Sequence, residues 1–314
     1  MRIGIVVDSA CDLPREFLDQ HGVLIMPITL RIGDALIEDR RHPEETQAFY
    51  ARHLDRKSED FAESIPYSVA QIERLFLERL VLDYDYVFCL TITSTRSPIF
   101  DHAMQASRAI LTKYKAIRRE AGMEERFGLA VFSTRNLFTG QAVPVAEAVR
   151  LIRLGGLPSE IGARLKQLID ETHTYLVPAD LFHIYKRASK KGDTSLGWSS
   201  YTLGTWLDVK PILHCHRDVT TTVDKVRGFY AGVEQLFDKA VQAHRRRAGC
   251  AEHLHQLRRR AGAGHPHAGL CRPGQGRRGQ RRANPRVADE QDGGRQCRAG
   301  RPVAGFCRRG HQAH

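Results

Sequence analysis

The sequence lacks what would place it in a membrane or an oxidising compartment. No apolar run approaches the roughly 20 residues of a membrane-spanning helix, and Ile3-Gly4-Ile5-Val6-Val7, right after Met1-Arg2, is too short for a secretory signal. Only three cysteines, Cys11, Cys89 and Cys215, precede residue 244, and they have no paired spacing. This excludes a disulfide framework and fits a reducing compartment, so a cytoplasmic protein with no transmembrane segment is expected. The same stretch has no phosphate-binding glycine loop and no readable nucleophile–base pair, which points away from an enzyme.

A more local absence divides the chain in two. The 70 residues from Arg245 to His314 contain 17 Arg but no Lys, Ile, Ser, Thr, Tyr, Trp or Met. No pressure on a folded domain removes those residues while multiplying Arg, Gly, Ala and His. Out-of-frame translation of a GC-rich gene would, so 245–314 reads as a frameshifted, disordered tail. The tail carries a net charge of +13, whereas the preceding residues hold 31 basic against 32 acidic side chains. The chain's +12 therefore belongs to the tail. A basic balance ordinarily suggests nucleic acid, but here it predicts only non-specific, salt-dependent binding, and no specific nucleic-acid partner is expected. Cys250, His253, His255, Cys271, Cys297 and Cys307 mimic a zinc module, yet their spacings do not repeat and no hydrophobic core accompanies them. No metal is assigned.

Before the tail, short apolar runs alternate with amphipathic stretches. Strands are predicted at 3–7, 23–30, 86–92 and 128–132, with helices at 14–21, 43–54, 69–80, 100–119 and 140–154. Asp12 is a helix-capping type, Pro14 suits a first helical turn, and Gly155-Gly156 ends the last helix. This order predicts an α/β fold in which a parallel sheet is flanked by helices, forming a first domain over 1–156. A second, truncated α/β domain is read over 157–244. It has helices at 158–171, 179–190 and 227–247 and strands at 174–177, 207–213 and 220–225. Pro211 pushes its strand toward an edge or an end. His214 and His216 would share one strand face and are read as a turn or strand-edge pair, not as metal ligands.

Ligands of such folds sit beyond the carboxyl ends of the strands. Three loops there are rich in hydroxyls, those of Ser9, Ser94 and Ser133. The ordered set Asp8-Ser9-Ala10-Cys11-Asp12-Leu13-Pro14, Ser64-Ile65-Pro66-Tyr67-Ser68, Thr93-Ser94-Thr95-Arg96-Ser97 and Leu207-Asp208-Val209-Lys210-Pro211-Ile212-Leu213 with Lys225-Val226-Arg227 resembles the DegV family of fatty-acid-binding proteins. The resemblance covers Arg2 to about Gln242. It implies a non-enzymatic lipid-binding protein that holds a long-chain fatty acid between two domains and presents it to a partner such as a fatty acid kinase, with no other cofactor. It also implies that Ser64, Thr93 and Ser94 hold the carboxylate, with Ser9, Arg96 and Ser97 as the supporting loops.

The chain departs from the family pattern at several points. Glu63 stands beside the Ser-x-Pro loop, Pro98 replaces a family glycine, and Phe132-Ser133 replaces an Asp-Ser pair. Lys191-Gly192-Asp193-Thr194 replaces a Gly-Gly-Arg-Ile, and nothing after Gln242 resembles the family's closing strands. Arg96 adds a charge able to compensate Glu63. The alternative is a dihydroxyacetone-kinase-like subunit, which binds its substrate through a histidine in the first half; His21 and His102 are the residues available for that.

Overall fold

The computed structural model describes residues 1–51, 62–123, 126–179 and 208–242. The chain opens with β1 (Ile3–Asp8), whose Ile5, Val6 and Val7 are all buried, as a strand covered on both faces requires. The short α1 (Arg15–Gln20) leads to β2 (Leu24–Met26). Pro27, which has no N–H to donate, splits the single strand expected at 23–30. Its second half, β3 (Ile28–Ile32), joins a different sheet with β4 (Ala35–Asp39). Next come α2 (Pro43–Ala51), β5 (Ala62–Ile65) and α3 (Val69–Leu75), which runs through a π-helical turn at Phe76–Leu80 into α4 (Val81–Asp83). β6 (Tyr86–Thr91), α5 (Ile99–Ala109), α6 (Tyr114–Glu120), β7 (Gly128–Ser133), α7 (Thr139–Arg153) and α8 (Pro158–Glu171) follow. The last elements are β8 (Thr174–Leu176), β9 (Val209–His216), β10 (Val219–Arg227) and the helix α9 over 229–242.

β2, β1, β6 and β7 form a four-stranded sheet in that order, and every pair is parallel. Helices cover both faces. On one, Val6, Val87 and Cys89 meet Ile72, Phe76 and Leu80 of α3 and its π turn, and Ile99, Ala103 and Ala106 of α5. On the other, Ile5, Val7, Phe88 and Leu90 meet Leu18 of α1, Val145 and Val149 of α7, and Ile161 and Leu165 of α8. Thus α8, expected to open the second unit, packs into the core of the first sheet. Parallel pairing puts the carboxyl ends of β1, β6 and β7 on one edge, and this edge carries the three hydroxyl loops of Ser9, Ser94 and Ser133.

Two three-stranded antiparallel sheets complete the described fold, ordered β4-β3-β5 and β10-β9-β8. In the first, β4 and β5 form where the sequence predicted no strand. Central β9 carries Pro211 near its start, and β8 pairs only with Leu213 to Cys215, so the missing N–H costs that ladder nothing. His214 and His216 therefore lie on the middle strand and not at an edge.

Other boundaries moved for local reasons. Asp12 does not cap α1. Pro14 stands at the N-cap with no side-chain cap, and the Asp12 carboxylate accepts instead from Arg41 Nη1 at 3.2 Å. The helix expected at 100–119 is two helices, joined by a 3-10 turn at Ile110–Thr112. Ser68 starts α3 through a capping box: its Oγ accepts from Gln71 N at 3.3 Å while its own N–H donates to Gln71 Oε1 at 2.9 Å. Gly155, at φ +77°, supplies the left-handed residue after α7. The expected helix at 179–190, the segment around Gly192, the tail from Arg245 and its cysteines and histidines lie outside the described residues.

Candidate ligand site at the carboxyl edge of the parallel sheet

Three loops leave this edge, after β1, β6 and β7, and buried polar groups tie them together. Asp8, the last residue of β1, is fully buried and accepts from Ala10 N at 3.0 Å and from Ile92 N, beyond β6, at 2.7 Å. Burial pushes its carboxyl up to about 6 against those two backbone bonds. Ser9, also buried, donates its N–H to Met26 O at 3.1 Å and accepts at Oγ from Ile28 N at 3.1 Å. Its hydroxyl thus spans the break at Pro27 and joins the first sheet to β3.

The loop after β6 holds two of the three expected ligand residues, Thr93 and Ser94, and the supporting Arg96 and Ser97. Thr93 is buried: its N–H donates to Asn136 O at 3.0 Å and its hydroxyl to Asp218 Oδ1 at 2.7 Å. Ser94 is exposed, and its N–H donates to Ser133 Oγ at 3.3 Å, which brings together two of the three hydroxyl loops. Ser97 Oγ accepts from the N–H of Ile99, the first residue of α5, at 3.3 Å, while Pro98 stands at the N-cap. Arg96 is partly buried and places its charge near the buried Cys215 thiol.

Ser64 stands elsewhere in the scaffold. It lies within β5, opposite Leu30 of β3, and not in a loop. The Ser-x-Pro segment is nonetheless tethered to α5, because His102 Nδ1 lies 2.7 Å from Tyr67 O. A carbonyl only accepts, so Nδ1 carries the proton. Glu63 is matched by Arg31, its cross-strand neighbour, in an ion pair. His21 caps the C-terminus of α1 with its ring against Phe17, 4.6 Å between centroids.

The reading of the sequence missed a group of residues that converge on the same edge from the second sheet. β9 and β10 are joined by a two-residue turn, Arg217-Asp218, with φ of 48° and 72°. The Asp218 carboxylate accepts from Thr93 and also from Arg135 Nε at 2.6 Å. Its carbonyl accepts from Thr95 Oγ1 at 3.2 Å, and its N–H donates to Arg135 O at 2.9 Å. Arg135 reaches on to Asp170 of α8 at 2.8 Å. Asn136 Nδ2 donates to Thr172 O at 2.9 Å, the same carbonyl that lies 2.9 Å from His216 Nδ1. The visible signal was slight: an Arg-Asp pair between a His-Cys-His run and a β-branched stretch.

His173, His214 and His216 form a stack of nearly parallel rings, with 3.8 Å between the centroids of His173 and His216 and 2.9 Å between His173 Nδ1 and His214 Nε2. Burial, and then the neighbouring His216, lower the His214 pKa. Among the described residues no group of three or more His, Cys, Asp or Glu is placed to hold a metal ion. Cys11, Cys89 and Cys215 are free and buried, and burial pushes the Cys11 thiol up to about 12. Among the described residues no helix is long and apolar enough to cross a membrane.

A helix-covered parallel sheet with hydroxyl loops at its carboxyl edge, met there by an antiparallel hairpin, is an α/β architecture of the kind whose ligands lie beyond the carboxyl ends of the strands. The family model described as "Uncharacterised protein, DegV family" matches residues 2–261, and the chain belongs to the DegV family. A DegV domain-containing protein of Xanthomonas axonopodis pv. citri is 48% identical over 242 residues, 77% of this chain and 77% of that protein. A solved structure of a DegV lipid binding protein from Thermotoga maritima superposes with a TM-score of 0.61 at 22% identity, covering 77% of each chain. A stearic-acid-binding protein from Eubacterium ventriosum gives a TM-score of 0.61 at 21% identity, again over 77% of each.

Proposed function

We propose that this chain is a fatty-acid-binding protein with no catalytic activity of its own, acting in the cytoplasm and handing its acyl ligand to a partner enzyme such as a fatty acid kinase. The observation that carries the reading is the loop after β6. Its backbone and the Thr93 side chain are fixed by Asn136, Ser133 and Asp218, while Ser94 is exposed at the carboxyl edge. A hydroxyl on a pre-ordered loop can hold one carboxylate without a buried guanidinium. Membership of the DegV family, and a fold shared with a DegV lipid binding protein and with a stearic-acid-binding protein, support the ligand class.

Ser94 is the residue expected to touch the carboxylate. Ser64 supplies a second hydroxyl, while Thr93, Ser9, Ser97 and Arg96 shape the loops. The acyl chain would lie beside the parallel sheet and its helices, α8 included, on the side of the region that follows α8. The test is native mass spectrometry of the full chain after expression in bacteria, followed by extraction of the bound lipid. One fatty acid per chain is expected. A lipid-free protein that also fails to take up added palmitate refutes the reading.

A further inference from the structure

The Arg217-Asp218 turn is built in a way its backbone alone does not favour. A two-residue hairpin turn with both residues in the left-handed region is the type that selects Asn-Gly or Gly-Gly, because a Cβ is strained there. Of the six non-glycine residues with positive φ among those described, four, Arg135, Phe138, Arg217 and Asp218, lie in this turn and in the loop after β7 that it meets. Strain that persists at one place is held by its surroundings and motivates a search for a role.

The contacts supply that role. Asp218 takes two side-chain hydrogen bonds on its carboxylate, from Thr93 at 2.7 Å and Arg135 at 2.6 Å, and two more through its backbone. Glycine would suit the turn better but would offer none of the side-chain bonds. Thr93 is buried and directly precedes exposed Ser94. The bond to Asp218 therefore holds the backbone from which Ser94 extends.

We propose that Asp218 is a positioning residue for the ligand carboxylate. From the tip of the second sheet it fixes the Thr93 hydroxyl, and through it the Ser94 loop, so that only ligands with an acid head profit from the contact. The inference rests on the fatty-acid reading. It predicts selectivity for the head group, which a merely structural contact would not.

The experiment measures the affinity of the full chain for palmitate and for 1-hexadecanol, with thermal unfolding alongside. Asp218→Gly relieves the turn and should leave the unfolding midpoint within about 5 °C of the wild type. It should weaken palmitate about tenfold while leaving hexadecanol unchanged. Thr93→Val should do the same, and Thr93→Ser, which keeps the hydroxyl, should restore palmitate binding. If acid and alcohol weaken together, or palmitate binding is unchanged, Asp218 does not act on the head group and the proposal is overturned. A wild-type chain that binds neither probe refutes the fatty-acid reading itself, and the inference falls with it. Should the glycine variant fail to fold, the two Thr93 variants decide the question through the same pair of affinities.

Discussion

The parallel sheet and the β8–β9–β10 sheet are held in place by different forces. In the first, the interior residues of β1 and β6 are buried on both faces under α3 and α5 on one side and α1, α7 and α8 on the other. The second sheet buries Ile212, Leu213 and Cys215 but leaves Val219 and Val223 of β10 exposed. Its hairpin tip meets the loops of the first sheet through Asp218, Arg135 and Asp170. Ionic screening leaves apolar packing untouched, whereas it weakens partly exposed ion pairs. The first sheet is thus the fixed frame, and the polar tie at its carboxyl edge is the part that responds to conditions.

The largest expected effect comes from breaking the frame. Phe88 is fully buried at the centre of β6, with its ring 5.0 Å from Tyr86 and 6.3 Å from Phe132. Phe88→Ala should cost about 3–5 kcal/mol of unfolding free energy by denaturant titration, with no dependence on ionic strength. A loss below about 1 kcal/mol, or one that changes with salt, would undo the contrast between the two sheets.

A smaller effect, with a distinctive pH signature, is expected at Asp8, where apolar frame and polar edge meet. The folded carboxyl keeps its proton up to about pH 6, against 3.8 for an ordinary aspartate. Between those values the folded state binds more protons, so this group's contribution is fully present below about pH 4 and is lost as pH rises through 6. Asp8→Asn removes that slope. It also turns an NH2 toward one of the two backbone donors, Ala10 N or Ile92 N, at a cost of about 1–3 kcal/mol. The variant should therefore be clearly less stable than the wild type near pH 4, and the gap should close toward pH 7. Unfolding curves across that range check it, and a gap that widens with pH would reverse the assignment.

The frame was legible in the sequence because its strands are short, mostly apolar runs and its helices keep an apolar stripe, as Ile72, Phe76 and Leu80 do. The β4-β3-β5 sheet was not. Arg31 and exposed Leu36 blur its alternation, and β3 follows β2 with only Pro27 between them. The break between α5 and α6 has neither proline nor glycine to announce it. At the site, Ser94 could be found from its place after a strand and from the family resemblance, but the partners of Thr93 could not. Asp218 lies 125 residues away in sequence, in a turn whose residue types do not match its backbone, so no local pattern exposes it.

The smallest expected effect sharpens the comparison where the two sheets approach each other. Thr174 of β8 is buried at 1% exposure, and its Oγ1 has no hydrogen-bond partner. It sits so close to α7 that a Cβ added at Gly140 would lie 2.1 Å from that oxygen, which explains the glycine there. A buried hydroxyl without a partner carries its desolvation cost uncompensated, and an isosteric apolar group does not. Thr174→Val should therefore raise stability by about 1 kcal/mol, whereas Gly140→Ala should lower it by overpacking the same gap. If Thr174→Val is destabilising, the seam is limited by space and not by polarity. The second sheet would then be fastened by close packing as well as by the charges at its tip.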